Sequence, residues 1–278
     1  MQTYPDKFIN VSDHRVRYWD VGQGPPVLLL HGVGCMVEVW YRNIPALAKK
    51  HRVIALDFLG HGYSSKPKKF MGLGMVGEFL QSFFQEIGVN EKVSLIGNSL
   101  GGGISLTFAL QRPEMVNRLV LVSSGGLGRD IPILLRLVSN LPIPLVWLPP
   151  APRRLLRFFL DNAVYTSEVI TDEMFEAFQD LYKDMETRLS LMRILNYLIG
   201  LHGANPAMVD PILENIDSLD MPILLTWGEQ DVVLPVRHGH WAVEALPNAQ
   251  LQVFNPGGHM TFMEYPDEWN EIVLEFLG

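Results

Sequence analysis

The chain has 278 residues, 48% of them hydrophobic and 19% charged, enough to bury a large core as one domain carrying an insertion or as two smaller ones. A net charge of −8 with no basic tract offers no handhold to nucleic acid or to an anionic membrane surface, and mainly favours solubility. Cys35 is the single cysteine, so no disulfide can form within the chain, which fits a reducing cytoplasm.

The first residues, "MQTYPDKFINVSDHRVRYWD", lack the apolar stretch of a secretory signal. Within them "KFINVS", and then "RVRYWDVG", alternate polar and apolar residues and are predicted to form an antiparallel hairpin at a sheet edge. Three apolar runs ending in glycine-rich turns follow: "PVLLLHG" (26–32), "RVIALDFLGHG" (52–62) and "VSLIGNSLGG" (93–102). A helix is expected from about Gly74 to Ile87, and another is opened by "GGGISLTFALQRP". "RLVLVSS" (118–124), "MPILLTWG" (221–228) and "LQVFNPGG" (251–258) read as further strands. Short continuous apolar runs separated by helix-length segments predict a parallel sheet covered on both faces, the α/β class.

Between about residues 128 and 216 the rhythm turns helical, with Ser167 as a candidate helix cap, and this insert is expected to lie as a lid over the mouth of the sheet. Its most apolar part, Ile131 to Pro150, holds Arg136, Asn140 and five prolines, which argues against a bilayer-spanning helix. The organisation predicted is thus a core of 1–127 and 217–278 with a helical cap of 128–216 between them.

"GNSLG", Gly97 to Gly101, has the G-x-S-x-G spacing, after a predicted strand and before a predicted helix. A serine on so sharp a turn is held in a strained conformation, and side chains two residues to either side would have no room. The helix that follows aims its N-terminus at the serine, so the Leu100 N–H is placed to meet a developing oxyanion. Glycines that merely pack a helix on a strand are the simpler alternative for this pentapeptide. Phosphate binding fits worse: no lysine follows the glycines, and "HGVGCMV" has Val37 where a dinucleotide loop needs its third glycine.

A serine hydroxyl needs a base to take its proton, and the base needs an acceptor to fix its tautomer. "LLTWGEQDVVLP" sets Asp231 just past one strand, and "NPGGHMTFMEYP" sets His259 in a glycine-rich loop past the next. With "LLLHGVG", "ALDFLGHGYSSKP", "LIGNSLGGGISL" and "PGGHMTFMEYPDEWNEIVLEFL", the chain resembles α/β-hydrolase fold enzymes over nearly its whole length. The resemblance implies a mostly parallel eight-stranded sheet flanked by helices, with the cap inserted between core strands. It also implies Ser99 as nucleophile, His259 as general base and then acid, Asp231 as the carboxylate orienting it, and the N–H groups of Val33 and Leu100 as oxyanion hole.

Asp130 is the rival for the acid, in a second location that some relatives use. Glu229 is expected at the surface, and Asp57 is expected to hydrogen-bond loop backbone. His31 is expected to brace the oxyanion loop and His61 a neighbouring turn. His238 and His240, two apart on a predicted helix, would not share a face, and neither a metal nor a cofactor is expected. Cys35 lacks the elbow geometry of a nucleophile. Trp40, Trp147, Phe175, Phe178, Met192 and Met260 are candidates to line an apolar substrate pocket, with core packing as the plainer role for each.

A serine at the elbow disfavours the dehalogenase and epoxide hydrolase branches, which place aspartate there. The default is hydrolysis of carboxylic esters with small to medium hydrophobic groups, through an acyl-enzyme, by a monomer or homodimer. The alternative is a carbon–carbon bond hydrolase acting on ring-cleavage products, to which Asn98, "HGVG" and "FLDNAVYTSEVITDEMFEAF" are similar. That subfamily carries a proline in the oxyanion loop and an arginine in the cap helix. Here Cys35 follows Gly34 and Phe178 stands near the arginine's place, leaving Arg188 or Arg193 as substitutes. A hydrolase-fold small-molecule receptor with little turnover is the third reading, and peracid formation a lesser one.

Overall fold

The structure is a computed structural model that describes residues 1–68, 72–141 and 153–278. Trp147, and the rest of the apolar stretch from 142 to 152, lie outside the described residues. In chain order the core opens with β1 (Lys7–Val11), β2 (His14–Val21), β3 (Pro26–Leu30), α1 (Ile44–Leu47), β4 (Arg52–Leu56), α2 (Val76–Glu86), β5 (Val93–Asn98), α3 (Leu100–Gln111) and β6 (Val116–Val122). The insert contributes α4 (Ile133–Ser139), α5 (Arg153–Asp161), α6 (Asp172–Leu181), α7 (Met185–Leu198) and the two-residue strands β7 (Ile199–Gly200) and β8 (Gly203–Ala204). Then follow α8 (Pro206–Leu213), β9 (Ile223–Gly228), α9 (Arg237–Ala245), β10 (Ala249–Phe254), α10 (Thr261–Glu264) and α11 (Pro266–Leu277).

Eight strands form one sheet in the order β1-β2-β4-β3-β5-β6-β9-β10. The β1–β2 hairpin lies at its edge as expected, and β2 also joins β4 antiparallel; every later pairing is parallel. Alternation within the buried strands splits their side chains between two cores. Leu28, Leu30 and Leu95 pack on one face, while Val27, Leu29 and Ile96 pack on the other. Each such side chain contributes roughly 1.5–3 kcal/mol on burial, so register is firmly set.

From β3 the chain moves to β4 on one side and then returns to β5 on the other. The loops leaving β3 and β5 therefore diverge, which opens a crevice at the carboxyl ends of these strands. Helix α2 buries Val76, Phe79, Leu80, Phe83 and Phe84 against the sheet, close to the span expected from the sequence.

Within the insert the helix start differs from the sequence expectation. Ser167 opens a short 3-10 turn, and Thr171 caps α6 instead, its Oγ1 accepting the Met174 N–H at 3.2 Å. The cause is spacing: Ile170 separates the turn from the apolar stripe of Met174, Phe175 and Phe178, and a cap must sit directly before the helix it serves. Helix α8 packs on the core through Ile212 and Met208, although the expected insert runs past it to 216. No helix among the described residues is long and apolar enough to cross a membrane.

Candidate active site

Ser99 sits at the tip of the β5–α3 turn with φ 55° and ψ −116°, a conformation that side-chain-bearing residues rarely adopt. The glycines on either side are steric requirements: a Cβ on Gly97 would collide with the Gly101 carbonyl, and one on Gly101 with that of Leu30. Three N–H groups, from Gly102, Gly103 and Gly125, converge on the Ser99 carbonyl at 2.8–3.2 Å and hold the strained turn.

His259 and Asp231 meet across the ends of β10 and β9. The carboxylate of Asp231 is fully buried, its Oδ1 accepting the N–H groups of Val233 and Leu234 at 2.8 and 2.9 Å. Its Oδ2 lies 2.8 Å from His259 Nδ1. An ionised carboxylate can only accept, so Nδ1 carries the proton and Nε2 keeps a free lone pair, the tautomer a general base requires. Asn98, next to the serine, donates from Nδ2 to the carbonyls of Val122 and His259, both at 3.2 Å, and so ties the histidine loop to the elbow. Ser99 and His259 are almost buried, at 8% and 6% exposure.

The loop after β3 passes beside the serine: a Cβ on Gly32 would lie 3.3 Å from Ser99 Cβ. Among the described residues the Val33 and Leu100 N–H groups have no backbone acceptor. His31 braces this loop. Its Nδ1 donates to the Gly32 carbonyl at 2.8 Å, its Nε2 accepts the Phe58 N–H at 3.3 Å, and burial pushes its pKa down. His61, 5.2 Å from it ring to ring, is lowered by burial to about 3.

Asp57 accepts N–H groups from Val37 and Tyr63, both at 2.8 Å, and pairs with buried Arg17 at 3.1 Å. Arg17 also binds Glu38 at 2.6 Å, so a buried ion network fixes the loop that carries Val33. From the insert, Tyr182 Oη donates to the Gly34 carbonyl at 2.7 Å and Ser190 Oγ to that of Gly60 at 2.8 Å.

The rivals lie elsewhere. Asp130 faces Arg237 and His238 at 3.0 and 3.2 Å, and Glu229 is exposed. His240 shares α9 with His238, and no metal-binding group of His, Cys, Asp and Glu forms among the described residues. Burial pushes the Cys35 thiol up to about 12, so it stays protonated.

Of the pocket candidates, Trp40 is fully buried, 4.1 Å from Phe262 ring to ring and beside Trp269, where core packing accounts for it. Phe175 and Phe178 are buried in a cluster with Met174 and Leu181, Met192 is half-buried on α7, and Met260 is buried directly after His259. Arg188 donates to the Tyr182 and Lys183 carbonyls, at 2.8 and 2.7 Å. Arg193, on α7, keeps a buried Nη1 with no hydrogen-bond partner among the described residues.

The sequence reading passed over Tyr182, the Asn98 amide as a tie to His259, and Glu264, which accepts N–H groups from both the histidine loop and the insert. The one signal for Glu264 was a lone carboxylate in "HMTFMEYP".

The strained turn at Ser99, the His259–Asp231 pair and the Asn98 amide that links them thus lie together at the carboxyl edge of the sheet. The sequence profile of the alpha/beta hydrolase fold family matches residues 25–266, and the chain belongs to that family. It is 33% identical to an uncharacterized protein of Mycobacterium tuberculosis, across 98% of this chain and 80% of that protein. It is 30% identical to the 2-hydroxy-6-oxo-6-phenylhexa-2,4-dienoate hydrolase of Burkholderia cepacia, across 98% and 96%. The meta-cleavage product hydrolase from Pseudomonas fluorescens IP01 superposes with a TM-score of 0.80 at 27% identity, covering 98% of this chain and 97% of that one.

Proposed function

We propose that the protein is a serine hydrolase that cleaves the carbon–carbon bond beside a ketone in a conjugated 2-hydroxy-6-oxodienoate. The observation that supports the catalytic part is the His259–Asp231 contact of 2.8 Å, with the Asn98 amide linking the histidine loop to the turn that holds Ser99 at φ 55°. Ser99 Oγ adds to the ketone carbon while its proton passes to His259 Nε2. The Val33 and Leu100 N–H groups take the oxyanion. Collapse breaks the carbon–carbon bond, and the imidazolium returns its proton to the departing carbon. Water activated by the same imidazole then frees the acyl group from Ser99. A carbon leaving group needs delocalisation, and the conjugated keto–enol system of such a substrate supplies it.

The substrate class rests on relatives whose names specify dienoate or dienedioate hydrolysis, 29–31% identical across 98–99% of this chain. One observation favours a second reading, ester hydrolysis: Phe178 is apolar and 2% exposed near the place where the resemblance implies an arginine for the substrate's acid group. A neutral ester needs no such cation.

The two readings separate in a paired assay of a conjugated 2-hydroxy-6-oxodienoate against a p-nitrophenyl ester of similar size. The expected result is a kcat/KM for the dienoate at least about 100-fold higher. The reverse order would establish the ester reading.

A further inference from the structure

The loop that carries His259 is held from two sides. On the core side, the His259 carbonyl accepts the Asn98 amide at 3.2 Å. On the other side, the His259 N–H donates to the carbonyl of Ala163, a residue of the insert, at 3.1 Å. The base therefore has one backbone group bonded to the core and the other to the cap.

Glu264, five residues after the histidine at the end of α10, reinforces the cap side. Its Oε1 accepts the Gly258 N–H at 2.9 Å, and its Oε2 accepts the N–H groups of Tyr165 and Thr166 at 2.8 and 3.3 Å. No cation pairs with this carboxylate among the described residues. Three backbone N–H groups satisfy it instead, one from the histidine loop and two from the insert. Only a carboxylate offers two accepting oxygens at that spacing; an amide would turn an NH2 group toward one of the donors. The backbones are also in direct contact, since a Cβ on Gly258 would lie 2.8 Å from Val164 Cα. Residues 163–166 and 257–264 thus form one hydrogen-bonded clasp between elements that lie about a hundred residues apart in sequence.

We propose that Glu264 is a positioning residue that couples docking of the insert segment 163–166 to alignment of His259 for catalysis. It acts through the histidine loop and touches no reacting atom. When the segment lifts, the His259 N–H and Glu264 lose their partners together, and the base leaves its register with Ser99 and Asp231. When the segment docks, both are restored, so the nucleophile is activated only under a closed cap. This inference rests on the assignment of Ser99 and His259 in the proposed function.

The test is Glu264→Gln, with Glu264→Asp as the conservative partner, each compared with the unaltered protein. The first readout is the rate at which a small fluorophosphonate, too short to fill a cap pocket, phosphonylates Ser99 with loss of fluoride. Glu264→Gln is expected to slow it by about 10- to 100-fold. Glu264→Asp should recover part of the rate.

The second readout is amide hydrogen exchange, which needs no activity. In Glu264→Gln, exchange should accelerate in residues 163–166 and 257–260 together while β9 is unchanged. Equal phosphonylation rates, or faster exchange in the insert segment alone, would overturn the coupling. A failure of the unaltered protein to react at Ser99 would instead overturn the catalytic assignment, and the exchange experiment would still decide whether the two segments move as one.

Discussion

The carboxyl edge of the sheet and the inserted helices differ in what holds their residues in place. At the sheet edge, every residue of β5 is buried, the glycines of the elbow leave no space for a Cβ, and each loop carbonyl or carboxylate that matters has a partner. In the insert, α5 has no buried residue, and Ile133, Leu137 and Phe158 are about half exposed or more. Its grip on the core combines apolar packing by Met174, Phe175, Phe178 and Ile194 with a few hydrogen bonds: Tyr182 to Gly34, Ser190 to Gly60, and the clasp around Glu264. The chemistry is set where geometry permits only one residue type.

The largest expected effect lies at the edge. Ser99→Ala should reduce turnover by a factor on the order of 10⁴–10⁶ with the thermal midpoint preserved. Asp231→Asn should cost about 10⁴-fold by upsetting the histidine tautomer, while Asp130→Asn, which touches Arg237 and His238 only, should stay within about twofold. Steady-state kinetics on one substrate decides both, and comparable losses at Asp130 and Asp231 would break the assignment.

The buried network comes next. Asp57→Asn removes one of three carboxylates around the buried Arg17, with Glu38 and Asp6 still paired to it, and should lower the unfolding free energy by about 1.5–3 kcal/mol in denaturant titration. On the insert side, Tyr182→Phe removes a single hydrogen bond and strands the Gly34 carbonyl. It should cost about 1 kcal/mol of stability and lower kcat/KM by less than about tenfold. An effect of Tyr182→Phe as large as that of Asp57→Asn would erase the contrast between the regions.

The smallest effect concerns pH. His31 and His61 have pKa values lowered by burial, so below about pH 6.5 the unfolded chain takes up protons that the folded chain refuses. Stability should decline as pH falls from about 6.5 toward 3, and a His61→Asn variant should show a shallower decline in thermal midpoint.

The same contrast explains what could be read in advance. Continuous apolar runs revealed the buried strands, and glycines flanking Ser99 revealed the elbow, because both patterns are imposed by close packing at fixed spacing. Asp231 and His259 were legible from their place just beyond strands. The Ala163–His259 bond, the Glu264 clasp and the Arg17–Asp57–Glu38 network join residues far apart in sequence through backbone groups or buried charge, and no periodicity announces them. The capping of α6 by Thr171 is hidden for a nearer reason: Ser167 and Thr171 are both good caps, and only the path of Ile170 decides between them.

The central claim is that Ser99 is activated by His259. Reaction with a fluorophosphonate followed by peptide mapping tests it most directly. A single adduct on Ser99, formed at a rate that collapses in His259→Ala, is the outcome expected. An adduct on any other residue, or one on Ser99 that forms as quickly without the imidazole, would contradict it.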